Sequence, residues 1–502
     1  MYENESIIIS TISLEGFSKG ETILYEAKDE HANNNVIDTK AASDESERTR
    51  RSSQILRSIV AMGAVFMLLY TSYSGLFSLS SSLHIQEGMG TICASVRYTS
   101  LVISSLFFPK LLITYIGHKW TVCVSLVGFI IWMAANGYAV WATMIPASII
   151  NGVFVASLWA AQGAYYTLMG QEYAALNGLD TENVVAWFFG MFYMFYLASG
   201  IFGNLISTTV LRTSPPENYT APSQEFIDDN CGINDCPWQT LNNTNLEPVP
   251  SDTVWLLCGI YIAIALVALV LGIVLVDQIP SRDDTKKVAK ENVCHEIRNS
   301  FINTMALVRH KQLLLLIPMT FYVGLEETYF YSDFNRSWVT CSIGIWMIGI
   351  VNIPFAVTGT GASMILGKVV KYTNRFAPVI FAFLIDVVIH LTLVFWTIDP
   401  DVTYPFYLIS TLWGLSDAIW ITLTTILYGV SFPDDSDAAF SQYMLWQCAG
   451  YAFAYGYSYF VCSSVKLMVL HVFLWLGTAC YFMWEKVHHE KQRTSLSITK
   501  LV

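Results

Sequence analysis

The residues with the most chemistry to offer are the few charges that fall inside long apolar runs. Asp386 lies about nine residues into its run, roughly 14 Å along a helix, and Asp417 lies about thirteen residues into another. Both depths are central. A charge there costs at least a few kcal/mol, so each needs a partner or a neutral state. Apart from Lys466 at the very edge of the last run, no Lys or Arg falls inside the apolar runs of the second half. The acids must then be protonated, bonded to hydroxyls, or paired with a bound cation. The first reading makes them structural, each bonded to a nearby Thr or Tyr. The last makes a proton or cation site. His390 stands four residues after Asp386 and shares its helix face. Glu326 and Glu327 lie toward one end of their run, and Arg97 lies at a similar depth in the first half. A salt-bridge latch across the halves is one expectation. The other is that Arg97 snorkels to the headgroups.

Two aromatic stripes follow helical spacing. Tyr70, Tyr73 and Phe77 form one; Trp159, Gln162 and Tyr165 form the other. They could wall a solute pocket or pack helix against helix. Gly63, Gly75, Gly152, Gly163, Gly200 and Gly203 read as close-packing positions. Ser53 follows Arg50-Arg51-Ser52 and suits a basic-directed kinase, or the arginines serve membrane orientation alone. There is no phosphate-cradling glycine loop and no His-Glu-x-x-His, and His295 and Cys294 lack zinc-ligand spacing. No catalytic residues, metal ligands or cofactors are expected. Neither a voltage-sensor arginine series nor a potassium filter loop is present.

The elements that must position these residues follow from composition. Of 502 residues, 54% are hydrophobic and 13% charged. A soluble domain carries about 25% charged residues, so much of the surface must face lipid. The net charge of −12 excludes the basic face that nucleic acid requires. Residues 1–55 form an acidic segment, expected to be a disordered cytosolic tail. Twelve apolar segments follow, near 58–80, 91–115, 120–140, 142–170, 184–211, 253–276, 312–332, 340–364, 377–397, 404–430, 438–462 and 465–485. Each can cross about 30 Å of hydrocarbon as a helix. The expected domains are a six-helix bundle at 56–276, a charged cytosolic linker at 277–311, a second bundle at 312–485 and a cytosolic tail at 486–502.

Lys and Arg set the orientation. With the N-terminal segment inside, 22 fall on the cytosolic side and three outside, namely Arg212, Arg336 and Lys466. Residues 212–252 then form a long extracellular loop with sequons at Asn218 and Asn242, and a third sequon, Asn335, lies in the short loop between segments 7 and 8. Cys231 and Cys236 share the long loop, and a short-ring disulfide between them is expected on this oxidising side.

The chain repeats at a spacing of 257 residues, from Tyr115 to Tyr372 and again between the starts of segments 3 and 9. Two six-helix halves in parallel repeat resemble the major facilitator superfamily, and Gly117-His-Lys119 resembles its basic loop. Leu68-Leu-Tyr-Thr-Ser-Tyr-Ser-Gly-Leu-Phe-Ser-Leu-Ser-Ser-Ser-Leu83, Leu158-Trp-Ala-Ala-Gln-Gly-Ala-Tyr165, Gly203-Asn-Leu-Ile-Ser207 and the cysteine-pair loop together resemble the uncoordinated-93-like, ion channel regulatory family across 54–485. The resemblance implies an all-α membrane protein, a major-facilitator-type bundle of 12 transmembrane helices. It implies a non-enzymatic regulatory subunit of a two-pore potassium channel complex in the plasma membrane, with channel subunits and lipid as partners. It also implies that segments 1, 4, 7 and 10 line the cavity, which favours Asp417 over Asp386. The alternatives are a secondary transporter of a small solute or cation, and a trafficking chaperone for membrane proteins.

Overall fold

A computed structural model describes residues 20–212, 222–239, 243–279, 295, 298–299, 301–302, 304–372, 376–432 and 436–499. They form helices and connections, and none of the described residues is in a strand. Two compact units divide between Ile55 and Leu56. In the smaller unit the helix that becomes the first span already begins at Gly20 (α1, Gly20–Phe77). The sequence reads as disordered there. The difference has a local cause: no Gly or Pro interrupts residues 21–55, and Ala, Glu, Lys and Arg recur through them, all good helix formers. Ser53 is exposed on this helix.

The larger unit contains α2 (Met89–Ser105), α3 (Phe108–Ile116), α4 (His118–Gly137), α5 (Trp141–Asn177), α6 (Thr181–Arg212) and α7 (Ser251–Leu275). The second half contains α8 (Lys311–Thr328), α9 (Ile348–Tyr372), α10 (Phe376–Phe395), α11 (Tyr404–Ser431), α12 (Ser436–Ser458) and α13 (Ser463–Thr499). Ten helices among the described residues are long and apolar enough to cross a membrane, or eleven if α2 and α3 count as one bent span. The chain is a multi-pass membrane protein. The expected count of twelve is not reached on apolarity, because α12 carries Gln442, Gln447 and four tyrosines along its 23 residues.

Two boundaries differ from the sequence expectation. Segment 2 is not straight: α2 and α3 meet at 64°. Pro109 at the start of α3 has no N–H to give and its ring clashes with the preceding turn, so the helix restarts there. Segment 7 does not end near 332. It continues as a π-helix, Tyr329–Thr340, and stops only at Gly344, whose φ of 94° needs glycine. The polar run at 333–339 therefore lies inside a helix.

α4 packs on α5 and α7, and α2 on α5; in the second half α9 packs on α11, and α8 on α12 and α13. The halves meet where α2 lies against α12 and α6 against α9. At the second of these contacts a Cβ on Gly349 would sit 2.3 Å from the Asn204 carbonyl oxygen, so only glycine permits that approach. Within the first half, Gly203 approaches Thr71 O as closely, at 2.4 Å from a Cβ. Gly163 has nothing within 4 Å and is not a close-packing position. Leu266, Val270 and Val274 on α7, and Leu384, Val388, Leu391 and Phe395 on α10, are exposed along single faces. Such stripes are suited to lipid contact.

Candidate functional site

The aromatic stripes of α1 and α5 close on each other. Tyr70 meets Trp159 at 5.6 Å between ring centroids, Tyr73 at 5.6 Å and Tyr196 at 4.8 Å. These rings pack helix against helix. Gln162 is buried, and among the described residues its Nε2 has no hydrogen-bond partner. Tyr165 donates to Asp277 O at 2.8 Å. Asp277 in turn holds Arg57 at 2.9 Å, and Lys119 donates to Ile273 O at 2.7 Å. These bonds tie together the end of the first half that carries the Gly117-His-Lys119 turn.

The buried acids occupy one region of the second half but have different surroundings. Asp386 Oδ2 accepts from Tyr322 at 2.7 Å and from the Trp420 indole at 2.6 Å. That is the structural arrangement, built with Tyr and Trp. His390 does not turn to Asp386. Its Nδ1 lies 3.2 Å from His471 Nδ1, while Trp475 donates to His471 Nε2 at 2.9 Å. His471 thus accepts on Nε2 and donates from Nδ1, which leaves the proton of His390 on Nε2. Glu326 is fully buried and, among the described residues, neither oxygen meets a donor at hydrogen-bond geometry, although the Trp413 indole is beside it. Asp386, Asp417 and Glu327 lie within its electrostatic reach. Asp417 is buried, and among the described residues its Oδ1 has no hydrogen-bond partner. Among the described residues no three His, Cys, Asp or Glu groups converge as metal ligands.

Arg97 does not form a salt bridge with Glu326 or Glu327. Its guanidinium carbon lies 4.7, 4.9 and 4.5 Å from the ring centroids of Tyr73, Phe77 and Tyr98. Each such contact contributes about 0.5–2 kcal/mol. Nor does Arg97 snorkel, since it is buried. Glu327 accepts instead from Tyr451 Oη on α12. The helix pairing that brings the two halves together inserts rings between cation and anion.

The end of the bundle near residues 222–250 is tied across the halves. Cys231 and Cys236 do not bond to each other. Cys231 bonds to Cys341 and Cys236 to Cys462, across sequence separations of 110 and 226. The 3₁₀ turn Gly232–Asn234 between them sends the two thiols to different helix ends. The same connection supplies Asp235, which accepts from Ser337 at 2.6 Å and pairs with Arg336 at 3.4 Å. Asp333 pairs with Lys466. Arg336 and Lys466 are therefore buried ion-pair partners, where the charge pattern places them in solvent. Asn335 is also buried and donates to Tyr331 O at 3.2 Å, so its sequon is closed to glycosylation in the folded chain. Asn218 and Asn242 lie outside the described residues.

Sequence reasoning missed Cys341, Cys462, Asp235, Asp333 and Tyr451. The signal available for the cysteines was depth. Both stand at the ends of their apolar segments on the same side as the long loop.

The sequence profile of the family described as "Ion channel regulatory protein UNC-93" matches residues 81–482. The chain belongs to the UNC-93 family. It is 36% identical over 447 residues to "Protein unc-93 homolog A" of Xenopus laevis, covering 88% of this chain and 96% of that one. It is 35% identical over 432 residues to the protein of that name from Homo sapiens, covering 86% and 93%. To the "Putative potassium channel regulatory protein unc-93" of Caenorhabditis elegans it is 26% identical, covering 89% of this chain and 63% of that one. Among solved structures, this UNC-93 protein superposes on the nucleoside transporter NupG with a TM-score of 0.57 at 12% identity, covering 85% and 98%. It superposes on a D-xylose-proton symporter at 0.55 and 12%, covering 86% and 97%. The fold is of the major-facilitator type.

Proposed function

We propose that this protein is a non-enzymatic regulatory subunit of a potassium-channel complex, two-pore channels being the expected class. It resides in the plasma membrane, with its N- and C-terminal segments in the cytosol. The printed name of the Caenorhabditis elegans relative supports the channel assignment. Disulfides form on the oxidising side of a membrane, so the two bridges support placing the 213–250 connection outside. The basic residues of the opposite side agree.

The observation that carries the reading is the covalent tie between halves. A two-half transporter works by rocking one half against the other around a central site. Here the α6–α7 connection of the first half is bonded through Cys231–Cys341 and Cys236–Cys462 to the second. That end cannot open while the bridges are intact. A subunit that presents a lipid-facing helix surface to a channel needs no such opening.

The test has two arms. Co-expression with two-pore potassium channel subunits is expected to change the current per channel at the surface. Reconstitution alone, without reductant, is expected to give no saturable flux of nucleosides, sugars or monovalent cations. Saturable flux abolished by Asp417→Asn would overturn the proposal in favour of a transporter, which the fold and the buried acids make the natural rival. A change in channel number alone would favour a trafficking chaperone.

A further inference from the structure

We propose that the space between the two halves holds a binding site for a small organic ammonium ion, with Glu327 as its counter-ion. Three observations point to it. The first is that Glu327 meets open space inside the bundle. Its side chain is half-buried. Tyr98 on α2, Tyr196 on α6, Tyr331 just past α8, Asp417 on α11 and Tyr443 on α12 all lie within its electrostatic reach. A group ringed by elements of both halves does not face lipid, so the surface it exposes opens on an internal space. Tyr98, Tyr196 and Tyr331 are half-buried as well, and so is Trp159, whose ring meets Tyr196 at 5.1 Å. One turn beyond Trp159, on the same face of α5, a Cβ on Gly163 meets nothing within 4 Å.

The second is an acceptor without a donor. One carboxylate oxygen of Glu327 accepts from Tyr451, and among the described residues Oε1 accepts from none. Arg97 does not neutralise it, because that guanidinium is covered by Tyr73, Phe77 and Tyr98, and the Tyr98–Tyr451 stack stands between the two groups. Both oxygens of the neighbouring Glu326 and Oδ1 of Asp417 also lack donors among the described residues. The region is rich in acceptors and poor in cations.

The third is the wall. The rings near Glu327 are tyrosines, whose faces attract a cation through the ring quadrupole. A carboxylate set among aromatic faces suits an ammonium group with carbon substituents: the faces take the substituents, which carry part of the charge, and the carboxylate takes the rest. A hard metal cation takes six or more oxygen ligands, and no three acidic or histidine groups converge here among the described residues. A neutral solute would leave the Glu327 charge unpaired.

The site is independent of the proposed channel role, and either can fail alone. The test is thermal unfolding of the purified full chain in detergent at constant ionic strength, with sodium chloride replaced stepwise by methylammonium or tetramethylammonium chloride. It is run at pH 8.5, where protons compete little for the carboxylate. The expected result is a saturable rise in Tm of a few degrees, because a ligand bound only by the native state stabilises it by mass action. The rise should vanish in Glu327→Gln and shrink in Tyr331→Leu, which keeps the carboxylate and removes a ring. Should both variants fail to fold, labelling of the unaltered protein with a hydrophobic carbodiimide decides: modification of Glu327, read by peptide mass spectrometry, should slow at least several-fold in saturating tetramethylammonium. Equal Tm values in sodium and in both ammonium salts would overturn the proposal. So would a rise of unchanged size in Glu327→Gln, an equal rise with potassium chloride, or a labelling rate at Glu327 that tetramethylammonium leaves unchanged.

Discussion

Tyr98 on α2 stacks on Tyr451 on α12 with ring centroids 4.5 Å apart. The pair spans the contact between the two halves. On one side Tyr98 lies against the Arg97 guanidinium, and on the other Tyr451 donates its hydroxyl to Glu327. A cation and an anion that charge arithmetic would join directly are linked through two rings. Tyr451→Phe keeps the stack and removes the donor. It is expected to destabilise the protein by about 1–3 kcal/mol, the cost of leaving a buried acceptor unmet. Chemical unfolding in detergent measures this, and a neutral Tyr451→Phe would show that Glu327 does not depend on that hydroxyl.

The disulfide connectivity is open to direct chemistry. Peptide mapping without reduction should recover Cys231 linked to Cys341 and Cys236 linked to Cys462. Cys341→Ser and Cys231→Ser should each cost about 2–5 kcal/mol, and the double variant should cost no more than either, because one bridge is lost in each case. A peptide with Cys231 joined to Cys236 would refute the assignment.

The Lys466–Asp333 pair is buried, and Ser458 also donates to Asp333, at 2.8 Å. Removing one charge leaves the other unpaired in an apolar setting. Lys466→Met is expected to cost about 3–5 kcal/mol. Lys466→Met with Asp333→Leu should recover most of that. A double variant as unstable as the single would mean that the pair is needed for more than its mutual neutralisation.

Glycine substitutions separate the two kinds of position that look alike in sequence. Gly349→Ala forces a Cβ to within 2.3 Å of Asn204 O and 2.2 Å of Thr208 Oγ1, at the α6–α9 contact between halves. About 1–3 kcal/mol of destabilisation is expected. Gly163→Ala meets nothing within 4 Å and should be neutral, or stabilising by up to about 1 kcal/mol through helix propensity. Equal effects on unfolding would show that helix approach is not what Gly349 serves.

His84 predicts a pH dependence. It lies between the short helix Ser80–Leu83 and the turn Gln86–Gly88, and burial holds its imidazole below the usual histidine range, opposed by a 2.9 Å bond to Asn136. The unfolded chain takes up a proton at about pH 6.5, before the folded chain does. The stability this site contributes is therefore complete above about pH 6.5 and is lost as pH falls toward the folded value. A Tm profile between pH 8 and pH 5 should fall on the acid side, and His84→Gln should fall less. Superimposable profiles would remove His84 as the cause.

Much of the architecture was legible because lipid imposes a one-dimensional rule. A span must be a long apolar helix, so composition and run length identify most spans without tertiary information. Family membership was legible for a related reason, since its marks are local strings such as Gly203-Asn-Leu-Ile-Ser207. The exceptions are informative. The run Asp333-Phe-Asn-Arg-Ser-Trp-Val339 looks like a loop because it is polar, yet it is buried helix. Asp235, Ser458 and Lys466, remote in sequence, supply its bonding partners.

The sequence by itself determined a lipid-embedded helical bundle of two related halves, and which charges would be costly inside it. Tertiary structure alone decided the partner of each one. Asp386 meets Tyr322 and Trp420, Arg97 meets three rings, and Cys231 passes over Cys236, five residues away, for Cys341. The physical reason is range. Hydrophobic burial is non-directional and sums along a segment, so it can be read in order. A hydrogen bond, an ion pair or a disulfide depends on a few ångströms and an angle, and these are set only when distant helices are brought side by side.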